Sequence, residues 1–298
     1  MVIPALGFGT AAIMGRVSRR HGAEALERAH AAGIRHFDTA RSYGWGEAES
    51  VVGDFLRGHV REEIRIVSKC GIVPVRRSPV LSMAKSAARW VLALAPGLKA
   101  QVTRAAGAPG FQPTRTYDLD VLADSLRTSL AQLGVAYLDD LLLHNFVPDA
   151  PGVEEVGQWF RTLKGAGTIR RFGFSVEGDL RRGLEFLAAK DLLADSIVQV
   201  PVSDFLLDLP GEWRGVRFIA HSPFSFLRRR AEANGKAGTL SDLLQALGEA
   251  CTCDALVCSM FAADHLEANV AAWRDCSAGT HSSAGYSSGG QRSSQQAP

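Results

Sequence analysis

The sequence predicts an α/β protein: a (β/α)8 TIM barrel with a long helical insertion after the third strand and a disordered C-terminal tail. Three observations predict it. Short apolar runs recur eight times along the chain. Most are separated by amphipathic stretches with the period of a helix. No strand-to-helix turn carries the Gly-x-Gly-x-x-Gly pattern that would favour the competing open, doubly wound sheet; "GFGTAAIMG" has two spaced glycines but lacks the third. Strands alternating with helices imply a parallel sheet, and eight such repeats imply its closure.

The elements follow in order. The apolar runs are "ALGFGT" (5–10), "IRHFDT" (34–39), "IRIVSK" (64–69), "LDDLLLH" (138–144), "RFGFS" (171–175), "SIVQVP" (196–201), "VRFIAH" (216–221) and "ALVCS" (255–259). Helical patterns cover 19–33, 119–134 and 180–193, and Gly33, Gly134 and Gly167 fall where helices should stop. Two stretches break the rhythm. Residues 72–117 separate strands three and four by far more than an ordinary loop, and "SPVLSMAKSAARWVLALAPG" (78–97) within them reads as a helix between Pro79 and Pro96. Residues 274–298 are rich in Ser, Gly and Gln and bury too little apolar surface to offset their ordering entropy. The barrel is thus expected over 1–273, with the insertion at 72–117 and a disordered tail at 274–298.

Bulk properties narrow the function. Of 298 residues, 46% are hydrophobic and 21% charged, the mix of a soluble globular chain. The net charge of +2 gives no case for nucleic-acid binding. The apolar N-terminus has no basic residue ahead of it and reads as a buried strand rather than a signal peptide. No uncharged apolar run approaches the roughly 20 residues of a membrane helix, so the cytoplasm is the expected location. The five cysteines form no regular framework and read as reduced thiols. The spacing of Cys251, Cys253 and Cys258 with His265 matches no common zinc pattern.

The chemistry gathers at strand ends. Active sites of such barrels lie at the C-terminal ends of the strands. Asp38 ends the second run, Lys69 the third and His144 the fourth, while Tyr43 sits on the glycine-flanked loop after the second. Singly, each has a structural reading: a turn cap, a snorkelling amine, a core histidine. Together they place an acid, an amine, an imidazole and a phenol over one spot, and burying several ionisable groups is costly without pairing. A free tyrosine titrates near pH 10, too high for efficient proton donation at neutral pH. A neighbouring ammonium is expected to lower that value, an aspartate to hold the ammonium, and the imidazole to orient a carbonyl oxygen. This is proton transfer at an oxygen; with a hydride donor alongside, it is carbonyl reduction or, in reverse, alcohol oxidation.

At these residues the chain resembles the aldo-keto reductases. The resemblance runs through "FDTARSYGWGEAE", "IVSK", "SLAQLGVAYLDDLLLH", "GTIRRFGFS" (167–175), "VQVPVSDF" (198–205) and "HLEANV" (265–270), covering about residues 4–273 apart from the insertion. It implies a barrel that binds NAD(P)H across its mouth without a Rossmann fold, and a catalytic tetrad of Asp38, Tyr43, Lys69 and His144 with Tyr43 as the general acid. It places Gly9, Thr10, Asp38 and Ser222 beside the cofactor, with Ser175 and Gln199 on the nicotinamide amide, His221 where a stacking aromatic falls, and Asn269 near the adenine. The chain departs from the family pattern in three ways. Val176 stands where an asparagine is common; Ser259 and His265 replace the basic residues that grip a 2′-phosphate; and the usual C-terminal substrate loop is absent.

The implied function is an NAD(P)H-dependent oxidoreductase acting on an aldehyde, ketone or sugar hemiacetal, with NADP or NAD as cofactor. The long segment after strand three resembles that of the members that oxidise free aldoses. A non-catalytic, cofactor-binding barrel serving as sensor or partner subunit is the alternative. The insertion carries Arg76, Arg77, Lys85, Arg89, Lys99, Arg104 and Arg115 and no acid between Ile72 and Tyr117. It is expected to act as a lid over the open pocket in preference to a basic contact with a membrane surface.

Overall fold

The computed structural model describes residues 2–74, 114–235 and 238–283. Eight parallel strands close in sequence order: β1 (Ala5–Gly9), β2 (His36–Asp38), β3 (Arg65–Cys70), β4 (Leu138–Leu143), β5 (Ile169–Ser175), β6 (Ser196–Pro201), β7 (Arg217–His221) and β8 (Thr252–Cys258), with β8 pairing back onto β1. The helices are α1 (Arg19–Ala31), α2 (Ala48–Leu56), α3 (Leu119–Leu133), α4 (Val153–Gly165), α5 (Leu180–Ala189), α6 (Pro223–Asn234), α7 (Leu240–Ala250) and α8 (Ala263–Ser283). Between β6 and β7 a single helical turn, Asp204–Leu207, and a 3-10 turn, Gly211–Trp213, replace a full helix.

Local chemistry explains these elements. β4 is buried along its whole length, between the barrel interior and the helical shell, so it reads "LDDLLL" rather than alternating. α3 buries Leu122, Leu126, Ser129 and Leu133 on one stripe; Asp118 caps it through the amides of Asp120 and Val121, and left-handed Gly134 ends it. Thr239 and Asp242 form a reciprocal capping box on α7.

The register arranges inward side chains in tiers. His36 faces Arg65, Val67 faces Asp140, Leu142 faces Gly173, and Ser175 faces Gln199. The middle tier is a small apolar cluster of Val67, Leu142, Ile197, Ile219 and Val257, separate from the main core between sheet and helices. His36 occupies the same interior, and Gly7 makes room for it: a Cβ there would lie 2.9 Å from the imidazole. Below stands a ring of ion pairs; above stands the candidate site.

Some boundaries differ from the sequence reading. β5 starts at Ile169 and β8 at Thr252, earlier than the apolar runs suggest. The added residues include Arg170 and Asp254, the first 3.4 Å from Asp139 and the second accepting from Arg171 at 2.5 Å. Hydrophobic patterning cannot register such a strand. α5 stops at Ala189, short of 193, and Asp191 turns left-handed. α8 runs through 274–283, the front of the stretch expected to be disordered. Cys276 is buried there, its Sγ 3.6 Å from the Ser241 carbonyl on α7, so the barrel's helical shell extends beyond 273. The remainder of the tail, and the helix and lid expected within 78–97, lie outside the described residues. The neck of the insertion is described: Ile72 and Arg115 form an antiparallel bridge, and Thr116 N–H donates to the Gly71 carbonyl at 2.9 Å. Among the described residues, no helix is long and apolar enough to cross a membrane.

Candidate active site

β2 ends on Asp38, β3 carries Lys69 at its penultimate position, and His144 follows β4, its N–H donating to the Cys70 carbonyl at 2.8 Å. Parallel pairing in this register sets the three side chains at one mouth of the barrel. The loop after β2 returns Tyr43 above them. That loop is tightly constrained, because a Cβ on Gly44 would stand 2.5 Å from the Ile13 carbonyl oxygen. Gly44 is also left-handed, at φ 58°, where glycine carries no steric penalty.

Lys69 is the hub. Its buried ammonium donates to Asp38 Oδ1 at 2.6 Å, to the Thr39 carbonyl at 2.9 Å and to Tyr43 Oη at 3.3 Å. The second Asp38 oxygen accepts from Gln199 Nε2 at 2.6 Å, and Thr10 fixes the Asp38 carbonyl through both its amide, at 2.9 Å, and its Oγ1, at 3.0 Å. The rings of Tyr43 and His144 meet edge to face at 5.6 Å. His144 Nδ1 lies 3.4 Å from Ser42 Oγ; when that hydroxyl donates to Nδ1, Nε2–H is the free donor.

Burial dominates the electrostatics. It works against the Lys69 ammonium, but Asp38 and then Tyr43 outweigh it and hold the group above the ordinary lysine value. Burial, with Lys69 assisting, pushes His144 down to about 3, and burial pushes His221 down to about 4. Both imidazoles are therefore neutral at physiological pH. Tyr43 corrects the sequence reading. Lys69 does pull the phenol down, but burial outweighs it and the net shift is upward. The expectation counted the partner charge and omitted desolvation.

A cleft of about 460 Å³ opens over this constellation. Of the residues placed at the cofactor by resemblance, Gly9, Asp38, Ser175, Gln199, His221, Ser222 and Ser259 line it. Thr10 does not: it is fully buried and serves as the clamp on Asp38. His265 and Asn269 lie on α8, outside the cleft lining, the first exposed and the second buried. Sequence reasoning missed Arg16, Asn145, Glu177 and Phe224, which also line the cleft. Asn145 follows His144 and Glu177 lies two residues after Ser175, and that proximity in the chain was the available signal. Val176 faces the helical shell, packed against Gly183, yet an amide stands beside Ser175 all the same. Asn145 Oδ1 accepts from Ser175 Oγ at 3.0 Å, and its Nδ2 donates to Glu177 at 2.5 Å.

Comparison with known proteins places this geometry in context. The family model described as "Aldo/keto reductase family" matches residues 5–271. The chain is 25% identical over 176 residues to the NADH-specific methylglyoxal reductase of Escherichia coli, covering 56% of this chain and 47% of that protein. It is 28% identical over 190 residues to the pyridoxal 4-dehydrogenase of Microbacterium luteolum, covering 59% and 53%. The matches thus span about half the length of these curated relatives. A solved aldo/keto reductase from Klebsiella pneumoniae, in complex with NADP and acetate, superposes with a TM-score of 0.58 at 21% identity, covering 91% of this chain and 86% of that one.

Proposed function

The chain belongs to the aldo/keto reductase family, and on that premise we propose that it is an oxidoreductase that transfers hydride between NAD(P)H and an aldehyde, ketone or sugar hemiacetal, reducing the carbonyls and oxidising the hemiacetal. One observation carries the reading: the Lys69 ammonium is shared between Asp38 and Tyr43, at 2.6 and 3.3 Å, and these two line the cleft.

The cleft fits a nicotinamide dinucleotide. Ser175, Asn145 and Gln199 offer amide and hydroxyl partners near Tyr43, and Ser222 and Ser225 sit at the N-terminus of α6, whose free N–H groups suit a phosphate. When bound, the reduced nicotinamide supplies the hydride. The protein supplies the rest. His144, neutral and oriented by Ser42, donates from Nε2 to the substrate oxygen and fixes the carbonyl. Tyr43 gives its phenolic proton to that oxygen as negative charge develops on it. The phenolate left behind lies against the Lys69 ammonium, which Asp38 keeps charged. The raised phenol pKa keeps Tyr43 protonated before the step. Lys69 therefore stabilises the phenolate as it forms more than it does the resting phenol.

Fluorescence titration with NADPH and NADH tests cofactor binding, and turnover of carbonyl probes tests the reaction. The pH dependence carries its own signature. With His144 near 3 and Tyr43 above its ordinary value, neither group titrates in the neutral range. The reduction rate should stay flat between about pH 5 and 8 and fall only on the alkaline side of the ordinary phenol range. A rate limb near pH 6.5, the unperturbed imidazole value, would remove His144 from its neutral role.

A further inference from the structure

Three consecutive residues after Tyr43 hold left-handed backbone: Gly44 at φ 58°, Trp45 at 64° and Gly46 at 85°. Tryptophan adopts this conformation only under constraint, and such a turn persists where its surroundings over-determine it. Arg41 is that constraint. Its backbone N–H donates to the Lys69 carbonyl at 3.1 Å, and its Nη1 donates to the Gly46 carbonyl at 2.7 Å. One residue thereby ties the entry of the turn to β3 and its exit to its own guanidinium, with Tyr43 enclosed between. The guanidinium is itself held: Nη1 lies 3.6 Å from Glu49 Oε2. Glu49 is 1% exposed, yet fully engaged, accepting from Ser68 Oγ at 2.6 Å and Ser129 Oγ at 3.0 Å. Ser68 precedes Lys69 on β3 and faces the helices; Ser129 belongs to α3. A carboxylate buried this deeply is costly and carries weight only through the groups it holds.

We propose that the Arg41–Glu49 pair is a positioning device for the proton donor: by clamping the Gly46 carbonyl it locks the left-handed turn and so fixes Tyr43 Oη against Lys69 Nζ. This rests on Tyr43 being the donor. Both residues act through Tyr43 and touch neither substrate nor cofactor. Release of the clamp lets the turn relax toward ordinary backbone and carries the phenol away from the ammonium, so the forming phenolate loses its counter-charge. Ser175 and Gln199 stand on β5 and β6, and cofactor affinity is untouched.

The test is a double-mutant cycle. Arg41→Met and Glu49→Gln are each made alone and in a Tyr43→Phe background. The rate of hydride transfer to a nitrobenzaldehyde is measured in single turnover, with cofactor affinity by fluorescence. In the parent, each substitution should slow hydride transfer by about tenfold or more while cofactor affinity stays within about twofold. In the Tyr43→Phe background the same substitutions should add nothing beyond about twofold, because the group they position is gone. Arg41→Lys, which keeps one donor for the Gly46 carbonyl, should recover part of the rate. If Arg41→Met does not fold, Glu49→Gln and Arg41→Lys carry the cycle. Equal losses in both backgrounds, or parental rates in the single variants, overturn the proposal. A Tyr43→Phe protein that transfers hydride at the parental rate instead removes Tyr43 as donor, and the positioning role falls with it.

Discussion

The two ends of the barrel hold similar residue types to opposite effect. At the lower end, Asp140 is fully buried and receives four bonds from two forked guanidiniums: Arg65 at 2.9 and 3.1 Å, Arg171 at 2.7 and 3.1 Å. Arg171 continues to Asp254, which Arg217 also grips at 2.9 and 3.2 Å. Within this chain of pairs each charge is met by a geometric match. At the upper mouth the Asp38–Lys69 pair is equally tight, but a phenol at 3.3 Å and two neutral imidazoles border it, and a cleft opens above. A satisfied ring closes a barrel; a pair with one adjustable neighbour transfers a proton. What separates them is the phenol: the lower ring pairs carboxylates with guanidiniums that stay charged, whereas the upper pair borders a hydroxyl that can give up a proton.

Four experiments break or sharpen that contrast, from the largest expected effect to the smallest. Asp140→Ala leaves the half-buried Arg65 without its carboxylate and Arg171 with Asp254 alone, and should cost about 3 kcal/mol, read as a lowered denaturation midpoint, while hydride transfer by the folded fraction stays within about twofold. A matching loss of rate would show that the lower ring belongs to the site.

Acid should weaken the fold at His36, while Asp140, which burial pushes up to about 7, works the other way over the same window. Burial pushes His36 down to about 4 from 6.5, so the unfolded chain takes up the proton first as the pH falls. The associated stability is intact above pH 6.5 and lost progressively toward pH 4, to roughly 3 kcal/mol. His36→Gln should flatten the stability curve across that window, and parallel curves for parent and variant would refute the assignment.

Tyr43→Phe keeps the ring packing and removes the proton. Turnover should drop by about 10²-fold or more, about 2.7 kcal/mol, with cofactor affinity and stability little changed. Parental turnover would show that the upper pair has no proton-donating neighbour in Tyr43.

The smallest effect concerns the cofactor's far end. Ser259 and His265 offer no fixed positive charge to a 2′-phosphate. NADH and NADPH should bind within about tenfold of one another, a gap of about 1.4 kcal/mol. A thousandfold preference for NADPH would mean that another part of the chain supplies the missing cations.

Much of this was legible in the chain itself. Period and spacing located all eight strands, because a strand buried on both faces must be apolar, and Gly134 announced the end of α3. Strand ends also nominated Asp38, Lys69 and His144, since in a closed parallel barrel they all open on one mouth. Other features were invisible for a physical reason. The starts of β5 and β8 are charged, and only across the barrel do Arg171 and Asp254 become each other's counter-ions. Thr10 reads as the end of the first apolar run and, by resemblance, as a cofactor contact, but its burial makes it a clamp on Asp38.

The sequence by itself determined the order of elements and the set of reactive groups, because periodicity and residue chemistry are local properties. Tertiary structure alone decided how those groups behave. The direction of the Tyr43 shift depends on desolvation set against a charge 3.3 Å away, and neither quantity exists until the loop after β2 is folded over β3. The same holds for Glu49, whose three partners come from β3, α3 and the turn it serves. Electrostatic energies depend on distance and burial, and in a barrel both are fixed only when the last strand closes onto the first.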